Sequence, residues 1–168
     1  MKFSKIALST LSAATLGFLA LGLASTPAVA ATATTTFNVT ATVNSNCTVS
    51  AGALGFGAYS GAAINASSTI SVTCTNSTPY TVGLNQGLTT GATVTTRQMG
   101  ITQPAGGLNY SLLTGSYTGT NWGNTTGSWV AGTGNGALQP LTVYGVLPAG
   151  QFVTPGSYTD TIQVTVSY

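Results

Sequence analysis

The chain has 168 residues, of which only 2% are charged: Lys2, Lys5 and Arg97 against Asp160, with no histidine and no glutamate. That inventory excludes a Ser-His-Asp or Cys-His nucleophile, paired-carboxylate chemistry, and imidazole or thiolate metal sites. It also holds no basic stripe for nucleic acid, so neither an enzyme nor a cofactor is expected.

Residues 1–30 read as a secretory leader. Lys2 and Lys5 form a positive start, an apolar run is densest from Ala13 to Ala24, and Pro27 precedes Ala28-Val29-Ala30. Small residues at the first and third of those positions are what a signal peptidase reads, so cleavage is placed after Ala30. The mature chain then keeps Arg97 and Asp160 alone and is neutral in its side chains. Small domains ordinarily rely on net charge to stay apart in solution. A neutral surface of Thr, Ser, Asn and Gly suits a protein whose working state is assembled. Export also bears on Cys47 and Cys74, the only cysteines. In an oxidising compartment they pair with each other, and the loop they close is worth about 3–4 kcal/mol in the chain-entropy account.

The mature chain opens with residues 31–46. Phe37, Val39, Ala41 and Val43 alternate with Asn38, Thr40, Thr42 and Asn44, and the segment has no Gly or Pro. Period two predicts a strand with one apolar face. Alternation alone leaves open whether that face is buried in its own domain or in another molecule.

Residues 47–168 read as one domain of short strands separated by Gly, Asn and Pro. A strand is expected to start at Cys47–Val49, and Leu54 and Phe56 follow in a Gly-punctuated stretch. Ile70, Val72 and Cys74 then point inward, as do Tyr80, Val82 and Leu84. Weaker segments cover Val94–Met99 and Leu108–Leu113. Leu141–Leu147 is nearly continuous and therefore central, and a last strand puts Ile162, Val164, Val166 and Tyr168 on one face. The whole predicts an all-β sandwich or barrel. The polar stretch Gly115–Gly136 reads as a surface hairpin or loop. Its Trp122 and Trp129 suit core or interface packing, or stacking on a sugar. Arg97 and Asp160 are expected at the surface, worth about 0–1 kcal/mol if they pair.

The C-terminal part carries a family resemblance. Tyr144-Gly145, Pro148, Gln151, Gly156, Tyr158, Asp160, Thr161 and the terminal Tyr168 follow an aromatic-Gly, Pro, Gln, Gly-x-Tyr-x-Asp pattern that ends in an aromatic. Leu108-Asn109-Tyr110, Trp122-Gly123 and the Cys47/Cys74 pair match as well. In these residues the chain resembles the spore coat protein U domain family, which includes the major subunits of archaic (Csu-type) chaperone–usher pili and spore-coat proteins.

The resemblance implies an incomplete immunoglobulin-like Greek-key sandwich that lacks its last strand. A periplasmic chaperone fills the gap first. At an outer-membrane usher, the N-terminal extension of the next subunit replaces it. On this sequence the donor is residues 31–46, with Phe37, Val39, Ala41 and Val43 inserting and the small Ala41 meeting a shallow acceptor pocket. Residues 47–168 form the subunit domain. A head-to-tail polymer of the chain with itself, export through the periplasm to the cell surface, and roles in adhesion and biofilm formation follow from the same resemblance. A coat protein or a glycan-binding adhesin subunit are the alternatives. Tyr158 is expected to pack at a strand start, Asp160 to serve a turn or edge, and Tyr168 to meet the chaperone.

Overall fold

A computed structural model of the chain describes residues 29–168; all but the last two residues of the expected leader lie outside them. Residues 29–40 form no regular secondary structure and are exposed throughout. The described residues from 41 onward build nine strands and no helix: β1 (Cys47–Ala51), β2 (Ile64–Cys74), β3 (Pro79–Leu84), β4 (Arg97–Met99), β5 (Leu108–Thr114), β6 (Thr120–Asn121), β7 (Val130–Thr133), β8 (Leu138–Leu147) and β9 (Val164–Ser167).

The strands form two sheets. The larger runs β1-β2-β8-β5-β4 with β6 beside β5, and the smaller runs β7-β3-β9. β8 is central, paired with β2 from Leu138 to Leu147 and with β5 through Val146, Gly145 and Tyr144. Its burial alternates, with Val143, Gly145 and Leu147 buried toward the core and Thr142 exposed on the other face. One cluster makes the core: Ile70 and Val72 of β2, Val82 and Leu84 of β3, Leu112 of β5 and Val143 of β8 are among its members. Cys47 and Cys74 are bonded to each other at the head of the β1/β2 register.

Two expectations differ from what the structure shows. The alternating segment 37–43 enters no ladder, because a strand needs a neighbour's N–H and C=O groups and no described strand pairs with it. The Gly115–Gly136 stretch is not simply a surface loop: it supplies β6 and β7, and Trp122 is only 1% exposed. The Trp122 amide donates to Leu112 O at 2.8 Å, and its indole N–H donates to Val82 O at 2.8 Å. One side chain thereby ties the two sheets, and its polar atom is satisfied without water.

Candidate functional site

The site follows from which sheet edges lack partners. β1 closes one edge of the larger sheet and β9 one edge of the smaller. In an antiparallel ladder, backbone groups alternate between facing the partner and facing away. Asn46 O accepts from Thr75 N, and Gly52 N donates to Thr69 O, so even-numbered residues of β1 face β2. Cys47, Val49 and Ala51 then turn their backbone groups outward. On the other edge, Thr159 exchanges both bonds with Gly100, and Gln163 O accepts from Asn85 N. Odd-numbered residues are therefore engaged, and Ile162, Val164 and Val166 present unladdered N–H and C=O groups.

Between these edges lies a groove of about 530 Å³, bounded by residues 51–56 and by 158–164. Its floor is core: Ile70, Leu84, Leu112 and Val143 line it, none more than 6% exposed. A second hollow of about 800 Å³ between residues 54–61 and 151–158 shares Leu54, Phe56, Met99 and Tyr158 with the first, so the two are continuous. The combination is a long, apolar-floored trough with hydrogen-bonding groups along both rims. Chemically it can bind an extended segment with one apolar face.

Buried Arg97 organises one wall. It is 0% exposed, which corrects the expectation of a surface ion pair. Its guanidinium donates to the carbonyls of Asn85 (2.9 and 2.7 Å), Val94 (2.9 Å), Leu84 (3.1 Å) and Trp122 (2.7 Å). A rigid fork of five N–H donors is what lets a buried cation satisfy so many acceptors at once. Burial pulls its pKa below the ordinary value, opposed by the nearby Tyr110 and Asp160. Tyr110, opposite Arg97 in the β4/β5 register, donates its hydroxyl to Asp160 Oδ2 at 2.6 Å. Burial pushes the Tyr110 hydroxyl well up, and the bond to Asp160 adds to the shift. Arg97 and Asp160 thus communicate through Tyr110.

The residues singled out from sequence fall in different places. Asp160 lines the groove and also accepts from Leu88 N at 2.8 Å. Tyr158 is half-buried at the junction of the two hollows, with its hydroxyl on Thr154 O at 2.7 Å. Gly145 is buried under Leu54 and Phe56; a Cβ there would come within 2.9 Å of Leu54, so glycine lets the 54–56 stretch lie across β8. Tyr144 stacks edge-on against Tyr117 at 5.0 Å, away from the groove lining. Gly156 is in the exposed loop before Tyr158, and Tyr168 ends the chain 59% exposed. Phe37, Val39 and Val43 are 85%, 83% and 83% exposed, and Ala41 is exposed too. Sequence reasoning missed the buried roles of Arg97, Asn85 and Tyr110. The signal available was that Arg97 is the one cation, and Asp160 the one anion, among the described residues.

Open along one side between two edge strands, the molecule is an incomplete immunoglobulin-like sandwich. The Spore Coat Protein U domain family matches residues 33–165. Protein U of Myxococcus xanthus is 35% identical over 158 residues, covering 84% of this chain and 88% of that protein. The chain belongs to the Spore Coat Protein U domain family. Its fold is similar to that in the crystal structure of the CsuC–CsuE chaperone–tip adhesion subunit pre-assembly complex from archaic chaperone-usher Csu pili of Acinetobacter baumannii. That similarity has a TM-score of 0.52 at 23% identity and covers 76% of this chain; the chain spans 40% of the length of the solved one.

Proposed function

We propose that this protein is a structural subunit of a surface fibre, and that each copy completes the next by inserting residues 31–46 into its groove. The observation that carries the reading is a pairing of opposites. The groove has an apolar floor and two unladdered rims, while Phe37, Val39 and Val43 form an apolar face more than 80% exposed. Burying those three side chains contributes roughly 4.5–9 kcal/mol gross, at about 1.5–3 each. Each rim bond adds about 0.5–1.5 kcal/mol. The sum is comparable to the whole stability of a domain, about 5–15 kcal/mol. Because the arm and the groove are different surfaces, the contact is head-to-tail and propagates as a filament.

In this reading the order of events is the one the family resemblance implies. Export under the 1–30 leader delivers a subunit with an open groove, which a periplasmic chaperone covers until an outer-membrane usher passes it to the next arm. The solved relative is a complex of a chaperone with a tip subunit, which supports a chaperone partner here. On the same reading the exposed Tyr168, next to β9, meets the chaperone. Adhesion and biofilm formation are the roles of the finished fibre. The family's spore-coat description and the Myxococcus relative favour a second setting, a coat layer, for the same strand-lending subunit. A glycan role could rest only on Trp129, 37% exposed, since Trp122 is buried.

The test is Phe37→Ser, Val39→Ser and Val43→Ser together in the mature chain, with assembly followed by light scattering and electron microscopy. Wild type is expected to form fibres and the variant to stay monomeric. A synthetic 31–46 peptide should raise the variant's melting temperature. Fibres of the variant equal to wild type would overturn the reading.

A further inference from the structure

The rim on the β9 side is built in two different ways. From Val164 to Ser167 it is an ordinary ladder with β3. From Tyr158 to Gln163 it belongs to no named strand, and its backbone is held to other backbone only by the bridge of Thr159 to Gly100 and by one bond from Asn85 N to Gln163 O. The reason lies at Asn85, the residue with which the ladder would continue. Its carbonyl is occupied by the Arg97 guanidinium at 2.9 and 2.7 Å. Gln163 N turns instead to the Asn85 side-chain oxygen at 2.9 Å. One half of the Asn85/Gln163 pair survives as a backbone bond; for the other half the buried cation holds the backbone acceptor and a side-chain oxygen stands in for it.

Asp160 is the principal replacement. Oδ1 accepts from Leu88 N at 2.8 Å and Oδ2 from the Tyr110 hydroxyl at 2.6 Å. Leu88 follows β3 of the smaller sheet, whereas Tyr110 belongs to β5 of the larger. One carboxylate on the groove rim therefore ties the loop between β3 and β4 to β5. Space is reserved for it: Gly87 has φ +90°, and a Cβ at that position would collide with the carboxylate. In a chain with a single acidic residue, that residue is spent here.

We infer that Asp160 is the positioning residue of the groove. It holds the unladdered half of the rim at the spacing and register that an incoming strand requires. The inference rests on the strand-donation reading and adds to it the side chain that keeps the empty groove ready. Once a donor is seated, its own ladder fixes Ile162 and Val164, so the carboxylate matters for entry rather than for retention. Preorganisation of this kind shows in the association rate.

The experiment uses the mature chain carrying Phe37→Ser, Val39→Ser and Val43→Ser, which accepts but does not donate, and a fluorescent peptide of residues 31–46. Asp160→Asn keeps the shape and one acceptor oxygen but removes the charge, while Tyr110→Phe removes the bond to the larger sheet and keeps the carboxylate. Resistance to trypsin at Arg97, the mature chain's only cleavage point, certifies that each variant is folded. Asp160→Asn is expected to slow peptide association about tenfold or more, the scale of one lost bond to a charged group, with dissociation nearly unchanged. Tyr110→Phe should slow it in the same sense, and it decides the matter if Asp160→Asn is cut by trypsin. Folded variants that associate at the parental rate, or that differ only in dissociation, overturn the role of Asp160 and leave strand donation standing. A parent that ignores the peptide overturns strand donation itself.

Discussion

Replacing Arg97 by leucine removes five hydrogen bonds to four backbone carbonyls, those of Leu84, Asn85, Val94 and Trp122. The bonds to Leu84 and Trp122 are fully buried. A buried acceptor left without its donor costs about 1–3 kcal/mol, so those two alone give roughly 2–6 kcal/mol. Removing the cation recovers part of its desolvation penalty, while Asp160 loses the nearby Arg97 charge. The net loss falls at about 3–5 kcal/mol, the range for breaking a buried charged partnership. For a domain of this size, 1 kcal/mol moves the melting temperature by about 3–6 °C. Thermal unfolding followed by circular dichroism should therefore drop by roughly 10–25 °C. Arg97→Lys should fall between, since a lone ammonium does not span four carbonyls. An Arg97→Leu protein melting within about 3 °C of wild type would refute the view that this cation organises the wall.

Other consequences can be read from single variants. Replacing Cys47 and Cys74 together by alanine opens a loop with a sequence separation of 27 and should cost about 3–4 kcal/mol in urea titration; a loss under about 1 kcal/mol contradicts the chain-entropy account. Tyr110 has its hydroxyl pKa raised from the ordinary 10.0, first by burial and then by Asp160. A raised acid favours the protonated folded form, so its contribution is complete below pH 10.0 and lost as pH climbs through the folded value. Stability should decline above pH 10.0, with a smaller decline in Tyr110→Phe; equal slopes would exclude the linkage.

Much of the sandwich was legible in the residues. Ile70, Val72 and Cys74 alternate because one face of β2 meets the core, and Val143, Gly145 and Leu147 of β8 are buried in the same alternating way. β6 and β7 were hidden because short strands among Gly, Thr and Asn carry too few apolar positions to show a period. Trp122 was hidden for the same reason, since its indole is anchored on Val82, 40 residues away in sequence. The polarity of its neighbours says nothing of that contact. Arg97 misled in the opposite way: a charged side chain ordinarily signals surface, and only the convergence of four carbonyls makes its interior place favourable. The apolar face of Phe37, Val39, Ala41 and Val43 was plain, but alternation says only that a face is apolar and carries no information on what covers it.

Backbone hydrogen exchange at the β9 rim tests strand donation most directly. The amides of Ile162, Val164 and Val166 face away from β3, so residue-resolved exchange in the Phe37→Ser, Val39→Ser, Val43→Ser monomer should find them open, with Thr165 protected. In wild-type fibres, or in the monomer bound to the 31–46 peptide, all three should become protected in step with assembly. Amides at 162, 164 and 166 that exchange equally fast in monomer and fibre would contradict the insertion of a strand at this edge.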